Sequence, residues 1–364
     1  MIVAGDLGGA ERLVATLANR VEGSGADHAV ALMTSNPKVE QLFLDSNVSV
    51  HRCPKPDGPV ADLWRSFGPV FVAWLQDILQ RERADLVHAH TFGSHLIAVR
   101  AGARLGLPVM RTEHGVTHYG DLSCAPFRHW TARRTTRIVA VSDYVARTVA
   151  RWIPEIASRI RVIPNGIDTE HFQPQGNPPE GGPFTFAITA RLVPWKQIHI
   201  ALQALAQIPG IRLDVAGEGT EMERLRRLAF RLGIGERVRF LGFSSDPRSV
   251  IASSHAVLNC SRDEGLPLAV LEAASMERPC VAFPVGGTVE VVRHGATGWL
   301  AEGRSVESFA NAMRAACADR ARAAKFGREA RKRVLDIFAL EGMCRAYADL
   351  YAELTGRDSM AAVA

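Results

Sequence analysis

The stretch Ala256-Val-Leu-Asn-Cys-Ser-Arg-Asp-Glu-Gly-Leu-Pro-Leu-Ala-Val-Leu-Glu272 combines a short apolar run, a polar loop and the start of a helix. A run as short as 256–259 is typical of a buried strand rather than of a helix. Pro267 suits the first turn of the following helix, where a missing N–H costs nothing. The stretch therefore predicts a strand–loop–helix unit of the kind that builds parallel sheets.

The same alternation of short apolar runs and longer helical patterns extends in both directions along the chain. Further strands are predicted at 84–89, 107–110, 137–142, 184–189, 212–216, 237–241 and 279–283. Between the two halves lies Pro174–Pro183, which is rich in proline and glycine and therefore suits neither a helix nor a regular strand. The pattern predicts an α/β protein with two parallel-sheet domains and a boundary near this segment.

Composition narrows the class of protein further. The 364 residues are 47% hydrophobic and 22% charged, which is enough apolar material for two cores. The six cysteines form no Cys-x-x-Cys pair, so a disulfide framework and a thiolate zinc site are disfavoured and a reducing compartment fits best. With no signal-like start and no apolar run of about 20 residues, we expect a cytoplasmic protein without a membrane span.

The net charge of +5 is concentrated in residues 1–164, which hold 19 basic and 15 acidic side chains. Such an excess suits an anionic membrane or a phosphorylated substrate, and it equally suits a solvated surface. The basic, aromatic stretch Phe127–Arg137 is either an interfacial helix, with peripheral contact at the inner membrane face, or an ordinary helix with its arginines in water. No zinc-finger, basic-zipper or RNA-binding pattern occurs, so nucleic acid is not expected as a partner.

Two glutamates mark the first candidate site. Glu264 precedes the predicted helix and Glu272 lies just over a turn into it, so both flank a helix start where the amides near Leu266 and Leu268 are available to an anion. Carboxylates placed in this way can bind sugar hydroxyls on either side of a phosphate. Alternatively, Glu264 only stabilises the helix dipole and Glu272 is a surface residue.

A second group of charged residues follows the strand at 184–189. Arg191 and Lys196 lie where an α/β sheet usually binds ligands, and a guanidinium with an ammonium suits a diphosphate. Near the N-terminus, the glycine-rich turn at 5–11 precedes a helix. It either contacts a phosphate or sugar or simply makes a tight turn.

Metal binding is not expected from the sequence. No Asp-x-Asp motif occurs anywhere in the chain. His88 and His90 share one face of a predicted strand, but the pattern supplies no third ligand. We therefore expect neither a metal nor another cofactor.

Taken together, these motifs resemble those of glycosyltransferase family 4, a family of retaining enzymes with the two-domain GT-B fold. The likeness covers nearly the whole chain, in order and in spacing, and its most specific part is the pair Glu264 and Glu272. The matching segments are Gly8–Glu11, Asp85–His90, Thr112–Gly115, Val141–Asp143, Ile163–Asp168, Arg191 with Lys196, Ala216–Gly219, Phe240–Gly242, the glutamate pair and Gly286–Glu290.

The resemblance implies a role for each matching residue. Arg191 and Lys196 would bind the pyrophosphate of a nucleotide-sugar donor, Glu272 the ribose and Glu264 the transferred sugar. The remaining implied contacts are amides of Gly265, Leu266 and Leu268 on the diphosphate, Gly242 near the base, Gly8 and Gly9 over the sugar phosphate, and His114 near the anomeric carbon. The activity implied is retaining, hexosyltransferase-like transfer to a sugar, lipid-linked or small-molecule acceptor, in polysaccharide, glycolipid or other glycoconjugate synthesis.

The resemblance also implies the domain plan: an acceptor-side Rossmann-like domain at 1–164, a nucleotide-binding one at 165–340 facing it across a cleft, and a terminal helix at 341–364 that returns to the first domain. One departure is Gln197, where the family commonly has glycine. Two alternatives share the GT-B architecture, namely a non-hydrolysing sugar-nucleotide epimerase and a non-catalytic partner subunit. The first does not need the Thr112–Gly115 motif, and the second is expected to lose donor-site residues.

Overall fold

The computed structural model of the chain describes residues 2–3, 9–20, 27–33, 36–44, 48–53, 68–121, 124–176 and 180–356. The chain forms two compact units. Unit 1 comprises Met1–Asn165 and Glu341–Ala364, and unit 2 is the continuous segment Gly166–Leu340. The division at 165/166 lies ahead of the proline- and glycine-rich segment, whose described residues belong to unit 2.

Within the described residues, unit 1 is built on a seven-stranded parallel sheet in the order β3-β2-β1-β4-β5-β6-β7. The strands are β1 Ile2–Val3, β2 Ala29–Leu32, β3 Ser49–Arg52, β4 Val87–Ala89, β5 Val109–Glu113, β6 Arg137–Ala140 and β7 Ile160–Val162. The helices are α1 Gly9–Arg20, α2 Pro37–Leu44, α3 Pro69–Arg81, α4 Phe92–Leu105, α5 Ala125–Arg133 and α6 Asp143–Trp152.

Local sequence signals set the ends of several of these helices. The Thr91 hydroxyl accepts from the Ser94 amide in a reciprocal capping box that begins α4, and Gly106 ends that helix in the left-handed conformation. The Ser142 hydroxyl caps α6 by accepting from the Val145 amide. Apolar side chains of α3 and α4 pack with β4 and β5 into one core, and those of α1 and α2 pack with β2 into another.

A terminal helix, α14 Leu340–Thr355, completes unit 1. Its apolar face is buried through Met343, Tyr347, Leu350 and Tyr351. The two tyrosine hydroxyls also make polar contacts, since Tyr347 Oη lies 2.9 Å from Thr112 Oγ1 and Tyr351 Oη lies 2.8 Å from His88 Nδ1. Residues from the end of the chain therefore complete the core of the unit that begins it.

Unit 2 is built on a six-stranded parallel sheet of described residues in the order β10-β9-β8-β11-β12-β13. Its strands are β8 Phe184–Thr189, β9 Ile211–Ala216, β10 Val238–Gly242, β11 Ala256–Asn259, β12 Cys280–Ala282 and β13 Gly298–Leu300. Its helices are α7 Ile198–Ala206, α8 Met222–Arg231, α9 Arg248–Ala252, α10 Leu268–Ser275, α11 Thr288–Val291, α12 Val306–Cys317 and α13 Arg320–Ile337. One large apolar core joins the sheet to α7, α12 and α13.

The strand order of each sheet reverses direction at one point. In unit 1 the reversal lies between β1 and β4, and in unit 2 it lies between β8 and β11. At such a point the connections after the two neighbouring strands diverge to opposite faces, which opens a crevice at the carboxyl ends of the strands. The loops after β8 and β11 carry Lys196 and Glu264, and the residue after β4 is His90.

The points where the chain enters and leaves unit 2 lie side by side. The Ile167 amide donates to the Phe338 carbonyl at 2.8 Å, and the Leu340 amide donates to the Ile167 carbonyl at 3.0 Å. Across all the described residues, no helix combines the length and the apolar character that crossing a bilayer requires.

Candidate active site

The loop after β8 positions the two predicted cations. Hydrogen bonds from the Ala190 amide to the Ala216 carbonyl and from the Leu192 amide to the Glu218 carbonyl tie this loop to the end of β9. A 3-10 turn at Pro194–Lys196 follows, and α7 begins two residues after it. The Arg191 side chain is exposed, and its guanidinium carbon lies 5.7 Å from the centre of the Trp195 ring. The loop thus presents a cation to solvent beside an aromatic plane.

Gln197 joins this turn to α7 in the left-handed conformation, with φ +50° and ψ 34°. That region favours glycine, since a Cβ atom crowds the following carbonyl there. Gln197 therefore adopts a conformation that glycine takes without strain, at a cost of about 1 kcal/mol.

Lys196 and Glu264 form the central ion pair of the site. Lys196 Nζ donates to Glu264 Oε1 at 2.6 Å, with only 23% of the lysine side chain and 12% of the glutamate side chain exposed. Two further bonds join the same loops, from the Arg262 amide to the Trp195 carbonyl at 2.8 Å and from Cys260 Sγ to the Lys196 carbonyl at 3.3 Å. The loops after β8 and β11 therefore act as one framework.

A pair of glycines supports the loop that carries Glu264. The Gly287 amide donates to the Glu264 carbonyl at 2.9 Å. Gly286 has φ +51°, and a Cβ atom at this position would lie 2.0 Å from the Glu264 carbonyl oxygen. Only glycine allows this approach. The glycine of the motif Gly286–Glu290 is therefore required to hold the Glu264 backbone in its position.

Helix α10 begins directly after this loop. Pro267 is its N-cap and Leu268 its first residue, so the prediction that Pro267 lies inside the first turn is wrong by one position. Glu272 lies partly exposed in the second turn. The first amides of a helix, here those of Leu268 and Ala269, have no acceptor within the helix and favour an anion, whereas those of Val270 and Leu271 donate to the Pro267 carbonyl. Gly265 and Leu266 are buried in the approach to it.

Gly242 ends β10 with φ +75°, and its carbonyl accepts from the Gly217 amide at 2.7 Å. Gly217 in turn lies against the backbone of Ala190, where a Cβ atom would meet the Ala190 carbonyl oxygen at 1.8 Å. The carboxyl ends of β8, β9 and β10 are thereby linked through main-chain contacts.

Unit 1 carries the remaining predicted residues. His114 follows β5, and its Nε2 lies 3.2 Å from Nδ1 of His90, which follows the neighbouring strand β4. Burial lowers the pKa of His114 to about 4, although the nearby Glu113 carboxylate opposes that shift. His114 is therefore neutral at physiological pH. Gly9 is the exposed first residue of α1, and Gly8 lies outside the described residues.

A buried ionic network lies next to His114. Arg111 and Glu113, each 2% exposed, form an ion pair at 2.5 Å, and the Tyr119 hydroxyl donates to the same carboxylate. Arg111 also lies 2.8 Å from His118 Nε2. Burial, reinforced by the Glu113 carboxylate, raises the pKa of Tyr119. The sequence motif Thr112–Gly115 contains Glu113, but its partners could not be read from the sequence.

Comparison with known proteins assigns the family. The family described as Glycosyl transferases group 1 matches residues 169–333, and the one described as Glycosyltransferase Family 4 matches residues 7–171. A glycogen synthase of Mycobacterium tuberculosis is 30% identical over 285 residues, which cover 74% of this chain and 69% of that protein. The chain belongs to glycosyltransferase family 4.

Two further similarities describe the extent of the match. An exopolysaccharide phosphotransferase of Streptomyces coelicolor is 32% identical over 226 residues. The match covers 60% of this family 4 chain but only 24% of that relative. HepE of Anabaena, solved in complex with UDP, superimposes with a TM-score of 0.84 at 21% identity, covering 97% of this chain and 99% of that one. The glycosyltransferase has the GT-B fold.

The structure of this glycosyltransferase gives His88, one of the two histidines considered as a metal pair from the sequence, a structural role. His88 uses both ring nitrogens, at 2.8 Å from the Tyr351 hydroxyl and at 2.8 Å from Thr112 Oγ1. Within the described residues, no group of three or more His, Cys, Asp or Glu side chains is arranged to hold a metal ion.

The stretch Phe127–Arg137 does not form one continuous helix in this glycosyltransferase. It comprises most of α5 and ends at the first residue of β6. Arginines cover two of the nearby aromatic rings, with the Arg134 guanidinium 4.3 Å from the Trp130 ring centre and that of Arg128 4.7 Å from the Trp152 ring centre. These contacts place arginines of the stretch against neighbouring tryptophan rings, and the interfacial helix stays a prediction.

Proposed function

We propose that this chain is a retaining glycosyltransferase that moves a sugar from a nucleotide-diphosphate donor to an acceptor hydroxyl in glycoconjugate or polysaccharide synthesis. The observation that carries the proposal is the Lys196–Glu264 pair, held at 2.6 Å by two interlocked loops where the sheet of unit 2 reverses its order. Ligands of open α/β sheets bind at that position. A cation and a carboxylate held there suit a diphosphate joined to a sugar.

Different residues around the pair bind different parts of the sugar donor. Arg191 and Lys196 hold the pyrophosphate, together with the amides at the start of α10. Glu264 binds hydroxyls of the transferred sugar, Glu272 binds the ribose, and Gly242 lies near the base. Structures of Anabaena HepE are described as complexes with UDP and with UDP-glucose, which supports a nucleotide-sugar ligand for this fold.

The chemistry follows from where charge develops. Cleavage of the anomeric carbon–oxygen bond leaves positive charge on the sugar and negative charge on the departing diphosphate. Cations and helix amides fixed beforehand at the diphosphate lower this barrier because they need no reorganisation during the reaction. The leaving phosphate accepts the proton of the acceptor hydroxyl on the same face of the sugar, which retains the configuration. His114, with Gly8 and Gly9, contacts the sugar and its phosphate.

The cations Arg191 and Lys196 take the place of the divalent metal that other transferases hold with an Asp-x-Asp motif. The proposed reaction therefore needs no metal. Activity is expected to survive excess chelator, and a loss of activity that magnesium or manganese restores would overturn this part of the proposal.

A screen of nucleotide sugars for thermal stabilisation tests the proposal, because a ligand of the native state raises the unfolding temperature by mass action. We expect at least one nucleotide sugar to stabilise the wild-type protein, and Arg191→Ala and Lys196→Ala to lose most of the turnover with that donor while remaining folded. The matched control is Arg212→Ala, an exposed arginine near the amino end of β9. Near wild-type turnover in both site variants would refute the assignment.

A further inference from the structure

The inference concerns His90, a residue to which the proposed reaction assigns no role. Its side chain is buried, with 5% of its surface exposed. The residue directly follows β4, the central strand of the sheet of unit 1. Its Nδ1 lies 3.2 Å from Nε2 of His114, and the two rings are nearly parallel, at an interplanar angle of 26°. The contact is a hydrogen bond between two imidazoles.

The ring of His90 is held in place by a neighbour. Its centre lies 3.9 Å from the centre of the His88 ring, with an interplanar angle of 39°. His88 is itself fixed through both nitrogens, by Thr112 and by Tyr351 of α14. Packing against His88 therefore restricts rotation of the His90 ring and keeps its Nδ1 directed at His114.

Both imidazoles of the contact are neutral, since burial lowers the pKa of His90 and that of His114. A single proton therefore lies between His90 Nδ1 and His114 Nε2. If His90 donates it, His114 carries its own proton on Nδ1. If His114 donates it, His90 must carry its proton on Nε2 and His114 Nδ1 is a bare acceptor.

The surroundings of His90 Nε2 decide between the two arrangements. This atom is buried and has no hydrogen-bond partner among the residues that the structure describes. A buried N–H without an acceptor is rarer in proteins than a buried acceptor without a donor, and leaving it unpaired is costly. The arrangement with a bare His90 Nε2 is therefore favoured, and in it His90 Nδ1–H donates to His114 Nε2.

We propose that His90 is a positioning residue that holds His114 in its Nδ1–H tautomer, so that His114 offers an N–H donor to an oxygen of the transferred sugar. The part of this inference that concerns the sugar rests on the proposed function, whereas the tautomer of His114 is a property of the protein alone. His90 acts through His114 and does not itself contact substrate.

The tautomer is measured by nitrogen-15 NMR of the histidine-labelled full chain without ligand, with the His114 signals assigned by their absence in His114→Gln. We expect the wild-type His114 to carry its proton on Nδ1. His90→Asn, whose amide can still donate from the position of Nδ1, should preserve this tautomer, whereas His90→Phe should reduce it to less than half of the population. A wild-type proton on Nε2, or an unchanged tautomer in His90→Phe, would overturn the proposal.

Kinetics separate this inference from the proposed function. With the donor found in the thermal screen, His90→Phe should lower kcat about tenfold with little change in the KM for the donor, and His90→Asn should restore most of the loss. Equal loss in both variants would overturn the positioning role. If the tautomer is as expected but His114→Ala has full activity, the role of His114 in catalysis fails while the assignment of its tautomer stands.

Discussion

Gly287 lies so close to Gly265 that a Cβ atom on Gly287 would stand 2.0 Å from the Gly265 carbonyl oxygen. Because the obstacle is backbone, Gly287→Ala must displace the loop that carries Glu264. We expect this variant to lower the free energy of unfolding by about 1–3 kcal/mol and to weaken nucleotide-sugar binding. Denaturant unfolding and calorimetric titration measure the two effects.

The control for this variant is Gly303→Ala in the same unit, where the nearest atom to an added Cβ is Ser308 Oγ at 3.8 Å. It should leave both stability and binding close to wild-type values. A Gly287→Ala protein with normal stability and binding would contradict the close packing of the two glycines.

Glu264→Gln keeps the shape of the side chain but removes the charge that pairs with Lys196. We expect turnover to fall about 100-fold, because contacts to the sugar are most important in the transition state. The affinity for a nucleoside diphosphate should be largely kept. Steady-state kinetics and calorimetry measure the two, and Glu223→Gln in an exposed pair on α8 is the matched control. Equal loss of binding and turnover would mean that Glu264 holds the nucleotide rather than the sugar.

Stability should fall as the pH is lowered through the range of the buried histidines. Burial lowers the pKa of His88, His90 and His95 well below the usual 6.5. Below about pH 6.5 the unfolded chain binds protons that the folded chain does not, so the free energy of unfolding decreases by up to about 1.4 kcal/mol per pH unit for each histidine. Denaturant unfolding between about pH 7 and pH 5 measures the slope.

His95→Gln provides the matched variant for the pH experiment. His95 Nε2 lies 2.6 Å from Thr135 Oγ1, and a glutamine amide can keep that bond without titrating. The change of its unfolding free energy with pH should be smaller than that of the wild type by the contribution of one histidine. A free energy of unfolding of the wild type that does not change over this range would contradict the lowered pKa values of the buried histidines.

Removing the terminal helix should damage unit 1 although no proposed donor-binding residue is lost. Truncation after Ala339 exposes the surface that Tyr347, Leu350 and Tyr351 cover, and we expect loss of solubility or of activity. Tyr347→Phe, which deletes only the hydroxyl beside Thr112, should cost about 1 kcal/mol in unfolding free energy. A truncated protein that is soluble, monomeric and fully active would show that α14 is dispensable.

The apolar runs predicted most of the strands of the two sheets. β8 and β11 match the predicted residues 184–189 and 256–259 throughout, because buried parallel strands carry continuous apolar side chains. The strand predicted at 107–110 instead runs from Val109 to Glu113. It continues through Arg111, Thr112 and Glu113, which are polar yet buried, and a hydrophobic pattern cannot detect such residues.

The sequence also predicted that Lys196 and Glu264 bind adjacent parts of one ligand, but it did not show that they contact each other. They are 68 residues apart, and their contact depends on β8 and β11 being adjacent in the sheet, which the order of strands along the chain does not reveal. The His90–His114 contact depends in the same way on the pairing of β4 with β5. Motif spacing identifies residues after strand ends, whereas only the sheet order determines which of them meet.

The return of α14 to unit 1 has a consequence for synthesis of the chain on the ribosome. His88 is made 263 residues before Tyr351, whose hydroxyl it contacts in the finished fold. At about 5–20 residues per second, roughly 10–50 s pass between the two. During that time the continuous segment of unit 2 is synthesised in full, while the surface around His88 and Thr112 lacks its covering helix. Unit 1 is begun first but cannot complete its core until all of unit 2 has been made.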